Sequence, residues 1–302
     1  MDKEFIKSLL EESDEKKIKE IIAKRVEELC KQYEEENVTY FTPRVMVDGK
    51  YKFDYSAPKI KKITNVNFGT SISGAHGGKA TTAFMHPKYT KLPISSGLGD
   101  SMALSFDDVE EVYKMLIANL QQIAKNKALS QEEIIFRAVT KTVFDYVGGQ
   151  YVEGGDKERF SHLKEGTDYN YEGNISSFKG SKHAMCAERS AISHQLFKFL
   201  GVDSAYCSSH IERRGGIEAH AFNLVKINGK TVLFDATLLD RSKKVCTSAV
   251  VFDNLDESVF DKAVESQSSF GEISFPDREL TDKNGQKYML YYSKPKVDNV
   301  SV

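Results

Sequence analysis

Three residues in the second half of the chain have types that could together activate a thiol: Cys186, His220 and Asp235. A nucleophilic cysteine reacts as its thiolate, which a helix N-terminus stabilises through its dipole and its N–H groups. An imidazole must lie within hydrogen-bond reach of the sulfur, and a third group must orient that imidazole. The sequence predicts that a helix begins at Cys186. These residue types in this order therefore predict a Cys-His-Asp triad.

The spacing of His220 and Asp235 fits a β-hairpin. Residues 228–229 are Asn-Gly, the strongest short signal for a two-residue hairpin turn. With this turn, Ile227 faces Lys230, and counting back makes His220 and Asp235 diagonal neighbours on one face, about 7–8 Å apart at the backbone. Asp235 could then accept a hydrogen bond from one imidazole nitrogen while the other nitrogen takes the thiol proton. A slip of one residue would put the two on opposite faces.

Several helices and strands must hold these residues in position. Residues 56–104 are polar and hard to assign, and residues 150–182 are mostly loop-like. The predicted helices cover 4–35 with a break at Ser13-Asp14, about 107–125, 131–147 with a capping box of Ser130 and Glu133, and Cys186–Leu200. The predicted strands cover a hairpin at 44–54 around Asp48-Gly49, then Ser204–Ser208, Ala219–Ile227, Lys230–Thr237, 247–252 and 286–293, with a loop at Arg213–Gly216.

The composition is that of an ordinary globular protein. The 302 residues are 40% hydrophobic and 28% charged, and the net charge of −2 argues against a nucleic acid partner. No stretch approaches about 20 apolar residues and the start has no apolar signal region, so we expect no membrane partner. The four scattered cysteines indicate reduced thiols. We therefore expect a cytoplasmic protein, with delivery into another cell by a leaderless route left open.

Three motifs around the triad resemble the core of the transglutaminase-like superfamily. The resemblance is close from Cys186 to Thr237, extends less closely to the helix at 131–147, and leaves the residues before 105 uncovered. Ala, Phe and Ala stand at 184, 222 and 236, where the family often has Gly, Trp and Pro, which leaves the subfamily open. The motifs are Cys186-Ala187-Glu188-Arg189-Ser190-Ala191, His220-Ala221-Phe222-Asn223 and Phe234-Asp235-Ala236-Thr237.

The resemblance implies an α+β fold with a papain-like, transglutaminase-type core, in which the helix that carries the cysteine packs on an antiparallel sheet. We expect a helical N-terminal extension over 1–105 and a catalytic domain over 106–302. By position, Cys186 is the nucleophile, His220 the general base and acid, and Asp235 the orienting carboxylate. The superfamily includes cysteine proteases, transglutaminases, protein deamidases and peptide N-glycanases.

These roles imply thiol-dependent chemistry on an amide bond of a protein or peptide substrate, with no cofactor and no metal. Water would resolve the acyl-enzyme thioester in a protease or deamidase, and a lysine amine would resolve it in a cross-linking transglutaminase. The N–H of Cys186 supplies one oxyanion donor, and Gln150 and His183 are weaker candidates for the oxyanion or substrate site.

Three other interpretations stay open. Residues 186–189, Cys-Ala-Glu-Arg, also resemble the zinc motif of cytidine deaminases, with Cys207 and His210 as further ligands. Arylamine N-acetyltransferases share the Cys-His-Asp logic, although their Arg-Gly-Gly before the cysteine is missing here. A binding module that has lost catalysis on the same fold is the third.

Overall fold

The structure is a computed structural model of the chain, and it combines helices with mainly antiparallel sheet, which confirms the predicted α+β class. Side chains are described for residues 1–29, 31, 110–149, 158, 161, 164, 173–204 and 221–237. The backbone is described for residues 1–35, 38–41, 44–47, 50–53, 60–63, 67–69, 92–95, 101–105, 110–149, 158, 161, 164–165, 171–213, 216–237, 250–255, 278–281 and 287–290.

The described residues form five helices and fifteen strands, with a 3-10 turn at Ile175–Phe178. The helices are α1 (Lys3–Glu11), α2 (Glu15–Glu35), α3 (Glu110–Ile123), α4 (Gln131–Tyr146) and α5 (Cys186–Phe199). The strands are β1 (Val38–Phe41), β2 (Arg44–Val47), β3 (Lys50–Phe53), β4 (Ile60–Ile63), β5 (Asn67–Gly69), β6 (Leu92–Ser95), β7 (Ser101–Ser105), β8 (Lys164–Glu165), β9 (Tyr171–Asn174), β10 (Asp203–Arg213), β11 (Gly216–Ile227), β12 (Lys230–Asp235), β13 (Val250–Leu255), β14 (Arg278–Thr281) and β15 (Lys287–Leu290).

Helix boundaries follow local capping signals. The predicted break at Ser13-Asp14 is confirmed, because α1 ends before it and the Asp14 carboxylate accepts a hydrogen bond from the Lys16 N–H at 2.8 Å. The predicted capping box before α4 is confirmed as well. The Glu133 N–H donates to Ser130 Oγ at 3.2 Å, and the Ser130 N–H donates to the Glu133 carboxylate at 2.8 Å.

The largest sheet has seven strands and contains the predicted hairpin. Its order is β13-β12-β11-β10-β15-β14, and β5 runs parallel to β10. Ile227 pairs with Lys230, and the register continues to Asn223 opposite Phe234. Residues 228 and 229 have φ values of 48° and 77°, as a type I′ turn requires. The predicted turn and register are therefore confirmed, and so is the β2–β3 hairpin at 44–54.

One prediction about this sheet is wrong. Strand β10 runs to Arg213 instead of ending at Ser208, and Arg213 pairs with Gly216 of β11, so the first and last residues of the predicted loop at Arg213–Gly216 belong to strands. The polar residues at the end of β10 gave no alternating pattern. That segment is extended because it pairs with β11 on one side and β15 on the other. Four further strands, β4 to β7, lie within residues 56–105, where no helix or strand could be assigned from the sequence.

Helix α5 is buried along nearly its whole length. Each residue from Ala187 to Phe197 is buried between the other helices and the strands β10 and β11. Its apolar residues such as Ile192 and Leu196 are buried, and so are polar residues such as Gln195. The Phe197 ring packs edge-on against Phe234 of β12, with centroids 4.8 Å apart. The helix that begins at Cys186 is therefore surrounded by protein.

The two N-terminal helices pack on the same hydrophobic core. The Gln121 side chain of α3 donates to the carbonyls of Leu9 and Glu12 at 2.7 Å each, and Arg25 Nε donates to the Phe199 carbonyl at 3.0 Å. These contacts join residues on both sides of position 105, where the division into two domains stays a prediction. None of the described helices is both long and apolar enough to cross a membrane.

Candidate active site

Cys186 is the first residue of α5, as predicted. Its side chain is a partly buried, reduced thiol packed against the hydrophobic core. The preceding residue, Met185, has extended backbone geometry and makes no side-chain capping hydrogen bond to a described residue. The N–H groups of a first turn and the helix dipole favour a negative charge at that point. The thiol therefore lies where a thiolate is stabilised.

Glu188 determines how the chain enters this helix. Its side chain is fully buried, and Oε2 accepts a hydrogen bond from the Met185 N–H at 2.9 Å. This contact is one half of a capping box. It fixes the backbone on either side of Cys186. The cytidine-deaminase interpretation would need the same carboxylate for proton transfer at a zinc ion, whereas here it helps to start the helix.

Arg189 joins the segment before the thiol to the end of α4. Its side chain is fully buried one turn after Cys186. Nε donates to the Ala184 carbonyl and Nη2 donates to the Gly149 carbonyl, each at 2.8 Å. Hydrogen bonds from a charged donor are stronger than neutral ones. The guanidinium therefore holds two backbone segments together beside the helix start.

Residues 180–182 also hydrogen-bond to the end of α4. The Gly180 N–H donates to the Tyr146 carbonyl and the Lys182 N–H donates to the Val147 carbonyl, each at 2.8 Å. Gly148 has a φ of 84°, and a Cβ added to it would lie 2.6 Å from the Gly180 carbonyl oxygen. Only glycine fits such an approach of two backbones. Gly148, which follows the end of α4, thus lets the two backbone segments cross.

Asp235 is the last residue of β12, and its side chain is fully buried. Its Oδ1 accepts a hydrogen bond from the Thr237 N–H at 2.7 Å. A buried carboxylate needs such donors, because burial without them costs several kcal/mol in the charged form. The contact holds the carboxylate at the point where the chain leaves the sheet.

His220 lies on β11, with its Cα opposite that of Ser209 on β10. Its side chain lies outside the described residues. The confirmed hairpin register, continued by one position beyond Asn223 and Phe234, reaches Asp235 on the neighbouring strand. Helix α5 contacts β11 at Asn223, which lies three residues after His220 on that strand. The contact between the thiol and the imidazole stays a prediction.

Of the weaker candidates for the oxyanion, substrate or zinc site, His183 is the one whose side chain the structure describes. His183 is partly buried three residues before the thiol, and its N–H donates to Ser181 Oγ at 3.1 Å. Gln150 and the side chains of Cys207 and His210 lie outside the described residues. Among the residues whose placement is described, no three His, Cys, Asp or Glu side chains form a group that could hold a metal ion. The second oxyanion donor and the zinc interpretation stay predictions.

No protein-family model matches this sequence, and no curated protein matches it either. The resemblance to the transglutaminase-like superfamily therefore rests on the motifs that contain Cys186, His220 and Asp235. It stays an expectation, to be judged by the chemistry of those residues.

The buried polar residues that hold this framework together were not predicted from the sequence. Glu188 and Arg189 are both fully buried, and two charged residues in a helix with apolar neighbours can indicate internal hydrogen bonds. Asn223 gave a similar signal, because asparagine is disfavoured inside strands and here lies between apolar residues. His194 gave none, since a histidine in an amphipathic pattern usually faces solvent.

Proposed function

We propose that the chain is a thiol-dependent amide-bond hydrolase or acyl transferase with a papain-like, transglutaminase-type core and a Cys186-His220-Asp235 triad. What supports the proposal is one arrangement of elements. Helix α5 begins at Cys186 and packs on β11, which carries His220 and pairs in the predicted register with β12, which ends at Asp235.

The proposed reaction begins when the Cys186 thiolate attacks the carbonyl carbon of a carboxamide or peptide bond. The oxyanion that forms is stabilised by the N–H of Cys186 at the helix N-terminus. His220, having taken the thiol proton, gives a proton to the departing amine as the C–N bond breaks. A thioester remains on Cys186. The buried Asp235 carboxylate keeps the imidazole in the correct tautomer and stabilises its charged form.

The second half of the reaction decides the product. Water added to the thioester releases a carboxylic acid and restores the thiol, which is proteolysis on a peptide bond and deamidation on a glutamine or asparagine side chain. A lysine amine instead forms a new amide bond between two proteins. Access of water to the thioester distinguishes these outcomes, and hydrolysis needs no groove for a second protein.

The test is a brief pulse of iodoacetamide at pH 6, followed by intact-mass measurement. An ordinary thiol with a pKa of about 8.5 reacts slowly at this pH, because less than about one hundredth of it is thiolate. We expect the wild-type chain to gain one label quickly. Cys186→Ala should abolish the label, and His220→Ala should slow it while the protein stays folded.

If Cys186 labels in this way, the unlabelled wild-type chain would be incubated with protein mixtures beside the Cys186→Ala variant, and products would be searched for cleavage, deamidation and cross-linking. Absence of fast labelling, or a fast label that persists in Cys186→Ala, would overturn the triad. Zinc analysis of the purified protein would follow, because the deaminase interpretation predicts a bound metal at Cys186 instead of a reactive thiol.

A further inference from the structure

Among the described residues, two buried polar contacts join α5 to the seven-stranded sheet. Asn223 of β11 is fully buried, and its Nδ2 donates to the Ser190 carbonyl of α5 at 3.1 Å. The acceptor is a carbonyl, so the amide nitrogen must face it. One helical turn later, His194 Nδ1 lies 3.2 Å from Ser204 Oγ on β10. All four residues are buried, so neither contact competes directly with bulk water.

The Asn223 contact lies close in sequence to both proposed reacting groups. Ser190 follows Cys186 by one helical turn, about 6 Å along the axis. His220 precedes Asn223 by three residues, about 10 Å along the strand. The bond therefore links the element that carries the thiol to the element that carries the imidazole, near the reactive end of each.

Apolar side chains of α5 and the sheet also pack together, as Phe197 and Phe234 do. The helix rests on side chains such as Val225 and Phe234, and apolar packing has little directional preference. A hydrogen bond to one carbonyl is directional, because it fails when the distance or angle changes by a small amount. It can fix the helix along the strand where apolar packing alone would permit small shifts.

We propose that Asn223 is a positioning residue that sets the distance between Cys186 and His220. The proposal rests on the triad proposed above. Asn223 takes no part in proton transfer and touches no reacting atom. It acts by holding Ser190, and through the helix the thiol, in register with β11.

The test is a double-mutant cycle on the rate of Cys186 alkylation by iodoacetamide between pH 5 and pH 9. Asn223→Leu keeps the size of the side chain and removes the donor. Since small displacements of reacting groups cost up to about a hundredfold in rate, we expect a loss of about tenfold at pH 6. In a His220→Ala background, the same substitution should change the rate by less than about twofold, because there is no imidazole left to position.

Ser204→Ala is the matched control. It removes the described contact between His194 and Ser204, two turns from the thiol. It should lower thermal stability about as much as Asn223→Leu does, yet leave the alkylation rate and its pH profile unchanged. If the leucine variant does not fold, Asn223→Asp keeps the shape and replaces the donating nitrogen with oxygen, and the same cycle is measured with it.

The outcomes separate this proposal from the proposed function. If His220→Ala leaves Cys186 alkylation unchanged, the triad fails, and the positioning role fails with it. If His220→Ala slows alkylation but folded Asn223→Leu reacts like the wild type, the triad stands and the positioning role is wrong. An equal loss from Asn223→Leu with and without His220 would also overturn it, because the effect would then not pass through the imidazole.

Discussion

The carboxylate of Asp235 combines a structural contact with a proposed catalytic one, and a substitution can separate them. Asparagine keeps an oxygen for the Thr237 N–H, which now donates at 2.7 Å, but carries no charge to stabilise an imidazolium. We expect Asp235→Asn to fold like the wild type and to alkylate about a hundredfold or more slowly at pH 6. Thermal melting and the iodoacetamide pulse measure the two effects. Unchanged labelling would remove Asp235 from the triad.

His194 makes stability depend on pH. Burial, and to a smaller extent the charge of Lys198, lowers the pKa of this histidine to about 3. The unfolded chain binds a proton near the ordinary value of about 6.5, while the folded chain does not, so stability is fully present above about 6.5 and falls as the pH drops towards 3.

We therefore expect His194→Gln to lose part of this acid sensitivity. Between pH 7 and pH 4.5, the free energy of unfolding of the wild type should fall by about 2 to 3 kcal/mol more than that of the variant. Urea unfolding at both pH values measures the difference. Equal pH dependence in the two proteins would show that the histidine is not held neutral.

At the scale of elements, the Arg189 side chain connects α5 to the segment at Ala184 and to Gly149 after α4. The planar, forked shape of its guanidinium matters as much as its charge. Arg189→Met leaves the carbonyls of Ala184 and Gly149 without these donors, and we expect a loss of about 3 kcal/mol in the free energy of unfolding. Arg189→Lys should recover only part of it, because an ammonium cannot reproduce the fork. Guanidinium chloride unfolding compares the three proteins. A lysine variant as stable as the wild type would contradict the role of the fork.

The crossing of residues 180–182 over the end of α4 predicts that two glycines respond differently to alanine. Gly148 and Gly180 both have positive φ values, 84° and 67°, but a Cβ at 180 would have nothing within 4 Å, whereas at 148 it would meet backbone. Gly180→Ala should cost about 1 kcal/mol from backbone conformation alone. Gly148→Ala should cost several times more. Thermal melting compares the two, and similar midpoints would contradict the close approach.

Elements specified by local signals could be predicted from the sequence. The Asn-Gly turn and alternating residues fixed the β11–β12 register, and Ser130 and Glu133 fixed the start of α4. The length of β10 and the burial of α5 on all sides could not be predicted, because both depend on partners distant in the chain. The order of Cys186, His220 and Asp235 suggested a site, whereas the contacts of Arg189 and Asn223 depend on how the elements pack.

At the scale of the whole molecule, the N-terminal helices contribute to the core that surrounds α5. Leu9 of α1 is fully buried in the cluster that also contains Leu116 and Phe199. Leu9→Ala should lower the free energy of unfolding by about 3 kcal/mol and shift one cooperative transition. Leu10→Ala, at a partly buried neighbour, is the control and should cost less. An early, separate transition in the Leu9 variant would mean that α1 and α2 unfold independently of α5.

The tight crossing beside Cys186 has an evolutionary consequence. A descendant that gave up catalysis would be free to replace its cysteine, but it would still need glycine at 148 and arginine at 189 to keep two backbones in contact. Selection for catalysis would conserve the cysteine at 186, whereas selection for folding would conserve the glycine at 148 and the arginine at 189. Comparison of related genes at these positions would tell an active lineage from one that retained only the scaffold.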